Sequence, residues 1–193
     1  VLVDSEAIKR AVTNILVAVG EDPAREGLAS TPDRVAELYG ELYSGVGIDP
    51  VSVIRDSNPV ASSEKERGEL VALRDIAFHS LCEHHLLPFE GVASVVYAPS
   101  GAIVGLGTLA KLVEVCSARL QLQERLGEMV AHALVESGVA SGALVVISAS
   151  HGCVRFRGPK QALTTVTVAT EGSLSHGESR HEALMLVGGE DWV

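Results

Sequence analysis

Apolar residues near the start of the chain recur every three or four positions. Ile8, Val12, Ile15, Leu16 and Val19 share one face ahead of Gly20, and Asp4 can cap the first turn, so the spacing predicts a helix over residues 4–19. "STPDRVAELYGELYSG" repeats the pattern, with Thr31 suited to the N-cap, Pro32 to the first helical position and Gly45 just past the end. Residues 49–68, "DPVSVIRDSNPVASSEKERG", are polar and turn-rich and read as a connection.

From Glu69 the pattern changes. "ELVALRDIAFHS" predicts a strand with Leu73, Ile76 and Phe78 among its apolar positions, and "GVASVVYAPSGAIVGLG" predicts a strand, a Pro-Ser-Gly turn and a second strand, hence a hairpin. Two helices are expected over residues 108–120 and 121–136, the second ended by Gly138. "GALVVISASHGCVRFRG" and "ALTTVTVAT" then predict a strand pair rich in Val and Thr, and "ESRHEALML" a short helix in the tail. The resulting organisation is a helical extension over 1–48, a connection over 49–68 and a main body over 69–193. Strands before and after a helical pair point to an α+β class, an antiparallel sheet with helices on one face.

Composition narrows the picture. Of the 193 residues 47% are hydrophobic but only 4% aromatic, so the core must be built from Val, Leu, Ala and Ile. A formal net charge of -10 argues against a broad nucleic-acid-binding face and leaves room for an anionic ligand only in a locally basic pocket. The chain lacks an apolar run of about eighteen residues, so no membrane span is expected, and "VLVDSEAIKR" has no secretory pattern. Three cysteines do not make a disulfide framework, and a reducing, cytoplasmic location is expected.

The chemistry concentrates in "CEHHLLPF", residues 82–89. Cys82 and His85 have a Cys-x-x-His spacing, which can turn both side chains to one side. In "HGCVRFRG", His151 and Cys153 alternate along what reads as one strand and so share a face. Cys82, His85 and Cys153 can thus supply two thiolates and an imidazole to one Zn2+, with a fourth position left for water, the pattern of a catalytic site. Zinc lowers the pKa of bound water to about 7, and His84 and His151 remain beside the site as candidate proton carriers. The opposing reading makes Cys153 a small buried hydrophobe, as Cys116 on its helix is expected to be. Spacing alone leaves both open.

Several stretches in order resemble one family. "FHSLCEHHLLPFEG" is similar to the signature of GTP cyclohydrolase I, "EDPAREGLASTPDRVAELY" resembles that family's N-terminal helical segment, "RLQLQERL" its central helix motif and "HGCVRFRG" its second cysteine segment. The likeness runs over residues 21–170. It implies that Cys82, His85 and Cys153 are the zinc ligands and that His84 and His151 move protons. It further implies that Gln123 and Glu124 read the guanine, and that Arg157, and Arg34 from a neighbouring subunit, hold the triphosphate. The implied reaction is hydrolysis of GTP at C8, with release of formate and formation of 7,8-dihydroneopterin triphosphate, a step of pteridine and tetrahydrofolate biosynthesis. The implied fold is the tunnelling fold, in which sheets of several subunits join into a barrel, with two rings stacked as a homodecamer and sites between subunits.

One segment departs from that pattern. Where the family has Gly-Leu-Ser-Lys followed by an arginine, this chain reads "GLGTLAKL", with Gly107, Thr108 and Lys111 at those places. A hydroxyl and a cation are lost, and Lys111 keeps a charge without the forked geometry of guanidinium. At about 4 Å and an effective dielectric of about 20 a charge pair amounts to about 4 kcal/mol before desolvation, and each 1.4 kcal/mol or so is tenfold in affinity. The departure therefore raises a second expectation, an enzyme with the same zinc chemistry acting on a less phosphorylated or modified purine nucleotide. A third, a zinc-clamped scaffold without catalysis, has no use for Gln123, Glu124, His84 and His151. Glu171, after the last strand, also stands where basic or apolar residues are usual. Trp192 is a candidate anchor for the tail.

Overall fold

The computed structural model describes residues 3–61 and 69–188; Trp192 and the 62–68 part of the expected connection lie outside them. The helical extension is a pair, α1 (Ser5–Ala18) and α2 (Thr31–Leu42). Asp4 caps α1 by accepting from the Ala7 N–H at 2.9 Å, which satisfies one of the N–H groups that every helix start leaves without an intrahelical partner. At α2 the cap position falls on Ser30 rather than Thr31, and no side-chain hydrogen bond is made there.

The connection is not wholly irregular. Asp49 accepts from the Val51 N–H at 3.0 Å and starts α3 (Pro50–Arg55), whose Val51 and Ile54 are buried. The Asp-Pro pair that reads as a turn is here a cap followed by proline at the first helical position. The elements after it are β1 (Val60–Ala61), β2 (Val71–Cys82), β3 (Pro88–Pro99) and β4 (Ala102–Ile103). Then come α4 (Leu106–Ser117), β5 (Leu120–Gln121), α5 (Gln123–Glu136) and β6 (Ala140–His151). The chain closes with α6 (Gly152–Arg155), β7 (Thr164–Gly172) and α7 (Gly177–Leu186).

Five strands form the main sheet in the order β5-β2-β3-β6-β7, antiparallel except where the two residues of β5 run parallel to β2. The expected hairpin across Pro99-Ser100-Gly101 does not form. The short β4 pairs with β1, while β3 lies between β2 and β6. A two-residue strand cannot satisfy a twelve-residue one, and β6 supplies the long partner.

Strand alternation separates two cores. Val95, Tyr97, Ala143, Val145 and Ile147 face α3, α4 and α5 and pack with Leu109, Leu112, Leu126, Val130 and Leu134. The intervening Val96, Leu144 and Val146 face the other way, onto Leu174 and onto Ala183 and Val187 at the C-terminal helix. Helices thus cover one face fully, and α7 covers part of the second, beyond the one-sided arrangement expected. Complete burial of each large aliphatic contributes about 1.5–3 kcal/mol, so a core poor in aromatics is still ample. No helix among the described residues is long and apolar enough to cross a membrane.

Candidate active site

The "CEHH" segment is the loop from β2 to β3. Its geometry is set by the backbone: the Cys82 carbonyl accepts from Leu86 N–H at 2.9 Å and from His85 N–H at 3.4 Å, and Cys82 N–H donates to Leu87 at 2.9 Å. Leu86 sits at φ 55° to close this turn, a left-handed conformation that costs a non-glycine residue roughly 1–2 kcal/mol. The turn holds Cys82 and His85 on one side, as their spacing suggested.

Cys153 arrives differently from the expectation. His151 is the last residue of β6, paired with Phe89 of β3, and Cys153 lies in the following turn α6 rather than on the strand. The ladder ends at this pair, one residue short of Pro88, which has no backbone N–H to donate to it. Gly152 then brings α6 down onto β3, where a Cβ would lie 2.8 Å from the Pro88 carbonyl oxygen. The outcome is nevertheless the proposed cluster: one ligand atom each from Cys82, His85 and Cys153 lie within 4.8 Å of one another. Cys82 is buried, Cys153 half-buried and His85 exposed. Burial, and then the nearby Cys82 sulfur, push the Cys153 thiol up.

The neighbouring groups divide into those held and those left open. His151 stacks on Phe89, with ring centroids 4.8 Å apart and planes 2° from parallel, and its Nε2 is 2.7 Å from Gln123 Oε1. Burial lowers its pKa, with the Glu124 carboxylate acting against that. His84 is exposed, its ring 6.2 Å from that of His85. The Arg157 guanidinium reaches His85 Nε2.

Glu124 lines a groove of about 360 Å3 between α5 and β7, with Glu128, Thr167, Val168, Ala169 and Thr170. Lys111, on the exposed side of α4, is paired with Glu114 at 2.8 Å. Arg34 lies exposed on α2, and no hydrogen bond or ion pair joins it or Lys111 to the cysteine cluster among the described residues. Glu171 lies on β7, opposite Ala143, rather than after the last strand as expected, and pairs with His132 of α5 at 3.0 Å. Sequence reasoning missed Phe89, Gly152 and the Glu83–Arg125 ion pair. Only Gly152, a glycine directly before a ligand candidate, left a local signal.

An α+β fold with a two-thiol, one-imidazole cluster at the end of its long strands is thus defined. Residues 8–188 match the family model described as GTP cyclohydrolase I. The curated GTP cyclohydrolase 1 of Leifsonia xyli is 47% identical over 186 residues, covering 96% of each chain. That of Acetivibrio thermocellus is 44% identical over 97% of this chain and all of its own, and that of Bifidobacterium longum 44% over 95% of this chain and 91% of its own. The chain belongs to the GTP cyclohydrolase I family, whose members are hydrolases. Among solved structures, an archaeosine synthase QueF-like protein in the apo form aligns at a TM-score of 0.41 and 22% identity, over 54% of this chain and 94% of its own.

Proposed function

We propose that the chain is a zinc-dependent GTP cyclohydrolase I, releasing formate from guanine C8 and forming 7,8-dihydroneopterin triphosphate. The observation that carries this reading is the convergence of Cys82, His85 and Cys153, from two segments about seventy residues apart, in a member of this family. The donor set fits zinc: tetrahedral ligands at about 2.0–2.3 Å from a common centre lie roughly 3.3–3.8 Å apart, so a cluster within 4.8 Å needs to close by only about 1 Å. When bound, the metal supplies Lewis acidity that makes a water acidic near neutral pH.

The chain's own residues supply the rest. Half-buried and favoured in its neutral form, His151 accepts a proton at pH 7, and the exposed His84 exchanges protons with solvent. Glu124, facing the α5–β7 groove, accepts from the guanine N1–H and 2-amino group. Arg157, beside the cysteine cluster, binds phosphate as a forked donor. Arg34 reaches the site of a neighbouring copy, and Lys111 contributes a charge for the substrate's phosphates. The β7 edge pairs on one side only among the described residues and joins the next copy's sheet, as a homodecameric barrel requires.

One observation favours a second reading, a substrate with fewer phosphates. Lys111 is tied to Glu114, and Thr108 carries no charge to compensate. A turnover assay of the zinc-loaded protein on GTP, GDP, GMP and guanosine, reading formate and oxidised pterin, separates the two. Turnover of GTP with pterin formation supports the first, and preference for a shorter phosphate chain supports the second. No formate from any purine nucleotide sinks both.

A further inference from the structure

The Gln123 side chain is fully buried at the first turn of α5. Its Nε2 lies 3.0 Å from the Ile147 carbonyl, 3.0 Å from the Thr165 carbonyl and 3.2 Å from Thr167 Oγ1. A primary amide has two N–H donors, and the two carbonyls, which can only accept, take both. The reversed amide would set its oxygen against those carbonyl oxygens, so the orientation is fixed by the backbone of β6 and β7 rather than by His151. Gln123 Oε1 must then be what faces His151 Nε2 at 2.7 Å. An amide oxygen only accepts, so the imidazole proton lies on Nε2 and Nδ1 is left with its lone pair. Phe89, stacked on the ring, removes the remaining freedom to swing.

We infer that Gln123 is a positioning residue for His151 and not a reader of guanine. It sets the ring with the proton on Nε2, so that proton exchange with the substrate runs through Nδ1. The inference rests on the proposed role of His151 as a proton carrier, and it changes the division of labour expected from family resemblance. The amide of Gln123 is spent inside the protein, and the purine edge is left to Glu124. A buried polar group with every donor placed is conformationally stiff, which is what a residue holding a catalytic ring requires and what a ligand-reading side chain does not.

The test uses the zinc-loaded protein with 15N-labelled histidine, His151→Asn assigning the signal. Long-range 1H–15N correlation is expected to show His151 protonated at Nε2 in the wild type and averaged between nitrogens in Gln123→Met. With that variant, kcat on GTP is expected to fall roughly 10- to 100-fold, the loss typical of a misplaced group. KM should change less than about threefold, and the preference for GTP over inosine triphosphate, which lacks the 2-amino group, should stay constant. A proton on Nδ1 in the wild type overturns the inference. So does a variant that raises KM alone or shifts the GTP-to-inosine preference. If the variant does not fold, the wild-type spectrum decides. If the wild type turns over no purine nucleotide, the proposed function fails, while the spectrum still reports whether Gln123 sets the ring.

Discussion

Arg125 Nη1 donates to Glu83 Oε2 at 2.6 Å, joining the loop that carries Cys82 and His85 to the first turn of α5. The two residues are 42 positions apart and flank, respectively, a ligand candidate and the Gln123–Glu124 pair. Both are partly exposed, 29% for Glu83 and 49% for Arg125, so the bond contributes at most about 1 kcal/mol to global stability. Its effect falls on the loop. Glu83→Gln should leave the melting temperature within a few degrees yet weaken metal retention roughly tenfold, as loss of an outer partner does at metal sites. Chelator competition measures the affinity, and an unchanged value means that the loop holds its shape without α5.

Metal uptake should depend steeply on pH. Burial and the Cys82 sulfur push the Cys153 thiol up, so at neutral pH the metal-free site carries protons that binding must displace. The sign follows: lowering pH favours the protonated, metal-free site, and affinity falls by up to about tenfold per pH unit for each proton displaced. Isothermal titration of the apoprotein with zinc in buffers of different ionisation enthalpy, between pH 6 and 8, reads the proton count. Cys153→Ser should displace one proton fewer and lose most of the affinity, with Cys82 keeping a weaker pH dependence. A pH-independent affinity rules out a thiol ligand.

Cys116 should behave as an inert thiol. It is fully buried, and burial pushes its pKa from 9.0 up to about 12, against a smaller opposing influence of Arg119. At pH 8 its thiolate fraction is about a thousandfold below that of an ordinary thiol. In the native apoprotein a disulfide reagent should therefore modify Cys153 first and spare Cys116 until the protein unfolds. The raised pKa also means that stability contributed at pH 8 is lost as pH rises from about 9 through about 12, where the unfolded chain ionises Cys116 first. Rapid labelling of Cys116 in folded protein contradicts this packing.

Gly152→Ala should damage the site more than a surface change of one methyl group normally does. The new Cβ would meet the Pro88 carbonyl at 2.8 Å and the Phe156 ring at 3.3 Å, and the backbone oxygen cannot step aside without moving β3. A loss of about 1–3 kcal/mol is expected from such overpacking, with Cys153 displaced and metal affinity reduced more than in Glu83→Gln. Thermal melting with and without zinc measures both effects. A variant as stable as the wild type means that α6 stands further from β3.

Local rules carried far in this chain. The apolar spacing of residues 8–19, the Asp4 cap and Gly138 at φ 86° determined α1 and the end of α5, because helix ends are decided within a few residues. Alternation along Val95–Tyr97 and Ala143–Ile147 determined which side chains enter which core, since a strand's period is fixed by its pleat. The Cys-x-x-His spacing likewise placed two ligand candidates on one turn. The β6–β7 pair was legible in the sequence, but the partners of β3 and the end of β6 were not. Nothing within residues 88–103 tells β3 to reject the adjacent β4 and pair with β6, more than forty residues on. Nothing around residue 151 says that the strand will stop there and deliver Cys153 from a helical turn. Gln123 read as a ligand contact only through the family resemblance. Only the tertiary structure placed β6 and β7 carbonyls where they take both amide protons of Gln123. Hydrogen-bond satisfaction in a buried site is a sum over all neighbours, and a linear pattern does not contain them.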